Sequence, residues 1–454
     1  MINFTALLSK LNRQSLSSHF GFIVASLGIF LVALGMRVWQ INSLPYPVFD
    51  EVFFPVYTEE YLKGKPTWEG HPPLSKYLIM WGILIWGHNE FGYRLPTAIF
   101  GALIPVLLIG ITYRLTGQKL LSLLVGCLAL TDGLLLVESR FGLINCFLVA
   151  LGLAGQLSLL TGLQQTGKYR HLLLANSGLL MSASASIKWN GLGFLLTVYV
   201  LSTLVLVVST LFPKQINKLG IIAEINKVPA WAYISYFFAI PAIFYIGQCI
   251  PHLMLNNGGI ADPIASFIAL QKHIIWWHTS DSVTGTDSMK LSHPYCSPWY
   301  SWAVMARPIG YYFKAEGDIF YDVHALGNPI LWWLATLSIL ILTGVGLKVL
   351  DGTIAYVLIG YSANYLPWML PSRCLFVYHY MSALCFSLIA LALVLWYLWQ
   401  RQTLPKIIAG ICWLAIVMSW WYFSPIWYGV PISTQSFYQR MWFMPNQFGW
   451  FNWI

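Results

Sequence analysis

The sequence predicts an all-α integral membrane protein with about eleven transmembrane helices. Of its 454 residues, 58% are hydrophobic and only 9% are charged, whereas soluble domains carry about 25% charged residues. Aromatic residues make up 16% of the chain, which is typical of proteins whose Trp and Tyr side chains lie at membrane interfaces. The apolar residues also gather in runs close to the roughly 20 residues that cross a bilayer.

Eleven apolar runs approach the length of a spanning helix. They lie at about 20–38, 95–114, 120–137, 141–160, 172–187, 191–211, 231–250, 329–349, 353–370, 376–399 and 405–424. A shorter apolar segment, Tyr77 to Gly87, has about 11 residues and is too short to cross. We expect this segment to form a re-entrant or surface helix.

Basic residues of the short loops set the predicted orientation, because Lys and Arg concentrate on the cytoplasmic side. With Lys10 and Arg13 inside, the remaining short-loop basic residues also fall inside: Arg114, Lys119, Lys168, Arg170, Lys214, Lys218, Lys227, Lys348, Arg401 and Lys406. Two long loops, at about 39–94 and 251–328, then lie outside. The chain is thus interpreted as one polytopic membrane domain, 1–454, whose chemistry lies on the extracytoplasmic face.

The net charge and the cysteines exclude several classes of protein. The charge of +9 is spread between apolar runs rather than forming a stripe, which argues against nucleic-acid binding. Most of the seven Cys lie inside apolar runs and are interpreted as packing residues. Cys296 and Cys374 lie on the outer side, where a disulfide between them is one hypothesis.

Two adjacent carboxylates, Asp50 and Glu51, follow the first predicted span between aromatic residues. Partial desolvation raises the pKa of a carboxyl group and makes it a better base near neutral pH. One acid of the pair is expected to act as base and the other to orient a partner. The alternative is an ordinary acidic start to a loop.

Four cations, Arg94, Arg140, Lys188 and Arg307, are expected at the depth of the outer headgroups. Arg binds phosphate through a planar fork and Lys as a point charge, so these residues are candidates for binding a lipid phosphate. For each one alone, snorkelling or anchoring to headgroups is an alternative. Their concentration on the face that the orientation rule depletes favours the binding role.

Three histidines and one intramembrane acid are candidates for other sites. His71, His293 and His379 could bind a metal together with Glu51, but no HExxH-like spacing supports this. We therefore predict no metal ligands, and a requirement for a divalent cation stays open. Asp132, inside the third predicted run, suits either a proton path or a structural pair near Glu138 and Arg140.

Seven motifs, taken in order, resemble the protein O-mannosyltransferase family over about residues 45–400. They are Phe49-Asp-Glu51, His71-Pro-Pro-Leu-Ser-Lys76, Phe91-Gly-Tyr-Arg-Leu-Pro96, Thr131 to Arg140, Lys188-Trp-Asn-Gly191, His293 to Trp302, and Tyr365-Leu-Pro-Trp368 with Arg373 and Tyr378-His-Tyr380. The resemblance implies the GT-C glycosyltransferase fold. It also implies an inverting transfer of mannose from polyprenyl (dolichyl) phosphate mannose to Ser or Thr hydroxyls of exported proteins.

The resemblance also implies site residues. Asp50 matches the family's acidic base, and Glu51 its neighbour. With the cations above, we assign the donor phosphate to Arg140, Lys188 and Arg307 and expect the substrate pocket to include His71, Lys76, Arg94, His293, Trp299, Tyr300 and Arg373. Family members can pair, so a dimer is a further expectation. The chain resembles the short bacterial members, which implies the cytoplasmic (inner) membrane.

Two departures from the family pattern keep rival functions open. Asn145 stands where the family usually has Asp, and Ser75 where it usually has Gly. A related GT-C transferase with another lipid-phosphate sugar, or with a lipid or glycan acceptor, is therefore the alternative. A transporter would place polar groups at mid-membrane depth, whereas most of them here are predicted at one face. A non-catalytic subunit is the third reading.

Overall fold

The structure is a computed structural model that describes residues 19–67, 69–256, 262–279, 293–371, 373–445 and 451–454. The orientation residues Lys10 and Arg13 lie outside the described residues. The first half of the chain forms α1 (His19–Val38), α2 (Phe54–Leu62), α3 (Leu74–Trp86), α4 (Glu90–Thr116), α5 (Lys119–Leu130), α6 (Gly133–Glu138), α7 (Asn145–Leu163), α8 (Gly167–Ala185), α9 (Leu192–Leu211) and α10 (Ala230–Asn256).

The second half adds α11 (Pro263–Thr279), β1 (Ile309–Glu316), β2 (Ile319–Ala325), α12 (Pro329–Gly346), α13 (Gly352–Tyr365), α14 (Met381–Trp399), α15 (Leu404–Tyr428), β3 (Ile432–Ser433) and α16 (Thr434–Arg440). Polar side chains cap the N-termini of several of these helices by accepting hydrogen bonds from backbone N–H groups. Asn89 accepts from Gly92 N at 2.9 Å at the start of α4, and Asp351 from Thr353 N at 2.9 Å at the start of α13.

The chain is an integral membrane protein. In the described part, eight helices are long and apolar enough to cross a membrane: α1, α4, α7, α9 with its preceding turn, α10, α12, α14 and α15. The three other predicted runs are also helical but are shorter or less apolar, in α5 with α6, in α8 and in α13. The count of eleven spans therefore stays a prediction. The short apolar segment at 77–87 forms most of α3.

The predicted span at 120–137 is interrupted at Asp132. Helix α5 ends at Leu130 and α6 begins at Gly133. The Asp132 carboxylate accepts from Leu135 N at 2.7 Å and from Trp332 Nε1 at 2.5 Å. A side chain that caps a new helix competes with continuation of the previous one. Asp132 therefore acts as a structural cap, and its contacts give no support to a proton path.

Helix α14 forms the centre of the bundle. Its side chains are buried from Met381 through Leu393, and it packs against α5, α12, α13 and α15. A helix that is apolar all round is expected to be enclosed by other helices. These four neighbours therefore enclose α14.

The all-α prediction omits a small sheet, two of whose strands lie in the second long loop and the third in the segment after α15. Strands β1, β2 and β3 form an antiparallel sheet in that order. Ile309 pairs with Ala325, and Glu316 pairs with Ile319 across the turn. Gly317 has φ +58°, a left-handed conformation that glycine adopts readily. The sheet places Tyr311 against the site described next.

Candidate active site

Asp50 and Glu51 lie in a single 3-10 turn, Phe49–Val52, and point into different environments. Glu51 is fully buried, whereas Asp50 remains partly exposed. Phe49 has φ +53°, a strained conformation for a bulky residue, and its ring stacks on Tyr311 at 4.3 Å. Backbone strain of this kind is typical of functional sites. The turn thus leaves Asp50 partly accessible and encloses Glu51 completely.

Glu51 is occupied by structural partners. Its two oxygens accept from Arg94 Nε and Nη2, at 2.8 Å each. They also accept from Val48 N at 2.9 Å and from Gly142 N. A carboxylate with four donors has little remaining capacity to accept a substrate proton. These contacts give Glu51 the role of orienting the turn, rather than direct chemistry.

Arg94 lies inside the protein rather than on a pocket wall, contrary to the expected substrate-pocket role. Besides Glu51, it donates to the carbonyls of Ile41 at 2.7 Å, Leu44 at 2.9 Å and Tyr46 at 3.1 Å. Its side chain has no exposed surface. Arg94 therefore fastens the segment before Asp50 to the start of α4.

Asp50 is the acid that is available for chemistry. Within the described residues its carboxylate has no hydrogen bond or ion pair. Burial raises the pKa of Asp50 to about 6, and the positive charge of Lys188 opposes this rise. The carboxylate is thus ionised at neutral pH but far more basic than an exposed Asp, as a general base requires.

Lys188 and Glu138 are joined through an amide. Lys188 Nζ donates to Asn145 Oδ1 at 3.1 Å, and Asn145 Nδ2 donates to Glu138 Oε2 at 2.9 Å. The Tyr311 hydroxyl donates to the other Glu138 oxygen. Lys188 also lies 5.0 Å over the Tyr378 ring. Glu138, Asn145 and Tyr311 thus adjoin Lys188. The sequence marks all three within the family pattern, Tyr311 in the block that follows Arg307, but assigns none of them a role in the site.

A polar cavity of about 410 Å³ adjoins Lys188. Its wall is formed by His71, Lys188, Trp189, Asn190, His278, Thr279, Trp368, Leu370, Pro371, Arg373 and His379. Burial lowers the pKa of His71, and it lowers that of His278 to about 4. These two imidazoles are therefore neutral at physiological pH, and Lys188 and Arg373 supply the positive charge of the cavity.

The expected pocket residues His71 and Arg373 line this cavity, while His278, Trp189 and Trp368 were not anticipated. His278 is brought in by α11, whose end packs on the first loop: its Nε2 is 2.8 Å from Gly70 O. Its ring is 5.2 Å from that of His71. No spacing in the sequence connects these distant segments.

An apolar groove of about 460 Å³ continues from the polar cavity. Trp189, Asn190, Trp368 and Pro371 line both. The groove then follows α9 and α13 along Leu192, Gly193, Leu195, Leu196, Tyr199, Ala363, Asn364 and Pro367. A charged cavity joined to an apolar groove along membrane helices suits a ligand with a polar head and a lipid tail.

Two of the three residues expected to bind the donor phosphate are instead bound to the backbone. Arg140 donates to Trp39 O at 2.8 Å and to Met36 O at 3.2 Å, and lies 4.4 Å over the Tyr428 ring. Arg307 donates to the carbonyls of Pro294, Asn452 and Ile454. Neither lines the polar cavity. Of the three, only Lys188 does.

Lys76, expected in the pocket, forms a buried ion pair with Glu69 at 2.7 Å. The expected aromatic residues also lie away from the cavity wall. Trp299 O accepts from the Tyr365 hydroxyl at 3.0 Å, and Tyr300 is 56% exposed. His293 lies nearer to the acid turn, with its ring 6.3 Å from that of Phe49.

Cys296 and Cys374 form a disulfide, with their Cα atoms 5.2 Å apart, as hypothesised. Ser297 N donates to Leu375 O at 2.8 Å beside it. The bond ties the second long loop to the segment that carries Arg373. Among the described side chains, no group of three or more His, Cys, Asp or Glu residues is placed to hold a metal ion.

Two family models match the chain. One, described as dolichyl-phosphate-mannose-protein mannosyltransferase, matches residues 27–89 and 83–257. The other, the C-terminal four TMM region of protein-O-mannosyltransferase, matches 263–446. Together they span most of the sequence.

Curated relatives of similar length carry one name. The chain is 28% identical to the polyprenol-phosphate-mannose–protein mannosyltransferase of Corynebacterium glutamicum, covering 82% of this chain and 80% of that protein. It is 24% identical to the protein of the same name from Mycobacterium tuberculosis, covering 93% and 91%.

The fold is shared with solved glycosyltransferases. The S. cerevisiae protein O-mannosyltransferase Pmt1–Pmt2 complex bound to the sugar donor has a chain that superposes with TM-score 0.80 at 15% identity, covering 99% of this chain and 94% of that one. The archaeal oligosaccharyltransferase AglB from Archaeoglobus fulgidus gives 0.54 at 12% identity, covering 92% and 57%. The fold is therefore that of the GT-C enzymes.

Proposed function

This chain belongs to the dolichyl-phosphate-mannose–protein mannosyltransferase family, and on that premise we propose that it moves mannose from polyprenyl phosphate mannose to Ser or Thr hydroxyls of exported proteins. The observation that carries the proposal is the acid–cation arrangement at the polar cavity. Asp50, partly exposed and without an ion pair among the described residues, lies in the field of Lys188 on the cavity wall.

The donor is amphiphilic, and so is the joined space that adjoins Lys188. Asp50 does not line this space, but it lies close enough to Lys188 for the positive charge to act on its carboxylate. Lys188 and Arg373 suit its phosphate, because both are cationic and reach the same cavity. The polyprenyl tail suits the groove along α9 and α13. This continuity supports a lipid-linked sugar rather than a soluble nucleotide sugar, which would leave the apolar groove without a function.

The transfer is a single displacement. Asp50 removes the proton of the acceptor hydroxyl while that oxygen bonds to the anomeric carbon of mannose. The bond from that carbon to the phosphate oxygen breaks on the opposite face, and polyprenyl phosphate leaves with the bonding electrons, which inverts the anomeric centre. General-base help contributes about 10²–10⁴-fold. Lys188 and Arg373 stabilise the charge that develops on the leaving phosphate.

The site is proposed to face the outside of the bacterial cytoplasmic membrane, with the N-terminus inside. Basic short-loop residues on the opposite face support this orientation. The Cys296–Cys374 disulfide supports it independently, because such bonds persist in oxidising compartments. The yeast relative is a complex of two chains, and pairing of this chain with a second copy is part of the proposal.

The proposed function is tested with purified protein in liposomes that contain polyprenyl phosphate mannose and a Ser/Thr peptide. Mass spectrometry of the peptide should show one added hexose on a hydroxyl side chain. Polyprenyl phosphate glucose, offered in parallel, tests the alternative sugar. Preferential transfer of glucose, or transfer to lipid with none to peptide, would replace this proposal by the alternative.

A further inference from the structure

Asn145 occupies an unusual position between a buried cation and a buried acid. It begins α7 and is 9% exposed. Its Oδ1 accepts from Lys188 Nζ at 3.1 Å, and its Nδ2 donates to Glu138 Oε2 at 2.9 Å. The oxygen of the Asn145 amide therefore contacts a cation, and its nitrogen contacts an anion.

The chemistry of the two neighbours fixes the orientation of the amide. A reversed Asn145 would point its NH₂ group at the ammonium of Lys188 and its carbonyl at the carboxylate of Glu138, and both contacts are repulsive. Asp at this position would repel Glu138, and an apolar residue would bond to neither. In this chain, the amide therefore satisfies both neighbours, which the Asp usual in the family would not do in the same way.

The amide also keeps the charge of Lys188 from being cancelled. Among the described residues, no carboxylate lies within ion-pair distance of Lys188 Nζ. Lys76, the other buried lysine near the site, differs: its Nζ lies 2.7 Å from Glu69 in a complete ion pair. A bare ammonium attracts an incoming anion, whereas a paired one has to give up its partner first.

We propose that Asn145 is a positioning residue for donor binding: it holds Lys188 toward the lipid phosphate and keeps Glu138 from neutralising it. The inference rests on the proposed function, in which Lys188 contacts the phosphate of the donor. Glu138 serves as the fixed end of this arrangement, because Tyr311 holds its other oxygen.

The test compares Asn145→Asp and Asn145→Ala with the wild-type chain. In Asn145→Asp, a carboxylate of nearly the same shape pairs with Lys188. The loss of one charge-assisted contact should raise the KM for polyprenyl phosphate mannose, and the Kd for sugar-free polyprenyl phosphate, by about tenfold. The KM for the acceptor peptide should stay within about twofold. Asn145→Ala should change the same constants in the same direction.

Gln156→Glu is the matched control for a buried amide of α7. Gln156 Nε2 donates to Phe194 O at 2.9 Å, and its Oε1 accepts from the Tyr356 hydroxyl at 2.9 Å, away from the cavity wall. The Gln156→Glu variant should lower the temperature of thermal unfolding, but it should not raise the donor KM more than the acceptor KM. Asn145→Ala adds no buried charge, so its donor KM and polyprenyl phosphate Kd still test the inference if Asn145→Asp does not fold.

Wild-type values of donor KM and polyprenyl phosphate Kd in both Asn145 variants would overturn the inference, as would equal increases in donor and acceptor KM. The proposed function fails separately, if the wild-type chain transfers no mannose. The polyprenyl phosphate Kd values would then still decide whether Asn145 tunes Lys188 for a lipid phosphate.

Discussion

Arg94 holds Glu51 through two hydrogen bonds of 2.8 Å, from Nε to Oε1 and from Nη2 to Oε2, and neither side chain has exposed surface. The pair fixes the turn that carries Asp50. Removal of one partner leaves the other charged and buried, which costs about 3–5 kcal/mol.

Arg94→Met should therefore lower the free energy of unfolding by about 3–5 kcal/mol, measured by thermal or denaturant unfolding in detergent. The exposed pair of Lys63 and Glu59 provides the control: Lys63→Met should change stability by less than about 1 kcal/mol. Equal stability losses in the two variants would contradict a structural role for the Glu51–Arg94 pair.

The pH dependence of transfer follows from Asp50. Its pKa is raised to about 6 by burial, and a base acts only when deprotonated. The kcat/KM should thus be half-maximal near pH 6 and fall about tenfold per unit well below it. The groups facing Asp50 are Lys188, Glu138, Tyr311 and Tyr378.

Lys188→Met should move the acidic limb, meaning the fall of kcat/KM at low pH, to higher pH. The reason is that the positive charge that lowers the pKa of Asp50 is lost. Lys63→Met, at an exposed position just after α2, should leave the pH dependence unchanged. A limb that stays unchanged in Lys188→Met would show that a different group controls it.

The apolar groove predicts a dependence on lipid length. Leu196→Trp should obstruct the groove and raise the KM for a long-chain polyprenyl donor by about tenfold, since each buried methylene contributes about 0.8 kcal/mol. A donor with a single short isoprenoid should be unaffected. Leu206→Trp, further along α9 and outside the groove, is the control. Equal effects on both donors would place the lipid elsewhere.

The disulfide predicts resistance to thiol reagents. In intact protein, Cys296 and Cys374 should react with maleimide only after reduction. Cys374→Ser should lower stability by about 2–4 kcal/mol and raise the donor KM, because the disulfide tethers the segment that carries Arg373. Cys412→Ser, which removes a free thiol, should change neither. Labelling of both cysteines without reductant would contradict the bond.

Much of the fold was predictable because membrane helices follow from local composition. Run length and apolar content predicted helices at all eleven positions, and the short segment at 77–87 proved to be part of α3. The break at Asp132 was not predicted, because it depends on Trp332, 200 residues away in sequence. The sheet was missed because β1 and β2 lie in a long loop and β3 pairs with β2 from the distant segment after α15.

The site was predictable only in part. The sequence predicts Asp50 and Lys188 as site residues, and the structure keeps both as candidates, but local patterns could not distinguish an arginine that binds a ligand from one that binds backbone carbonyls. Arg140 and Arg307 are of the second kind. Glu138, Asn145 and Tyr311 form one network through contacts over as many as 173 residues. Such contacts depend on how helix ends converge, which local patterns do not specify.

The central claim is that Asp50 is the base, and Asp50→Asn tests it most directly. Single-turnover transfer of mannose to a Ser/Thr peptide should be measured at saturating donor, together with the Kd for sugar-free polyprenyl phosphate. Transfer should fall by about 10²–10⁴-fold, while the Kd stays within about twofold of the wild-type value. Transfer at the wild-type rate by a folded Asp50→Asn protein would contradict the account.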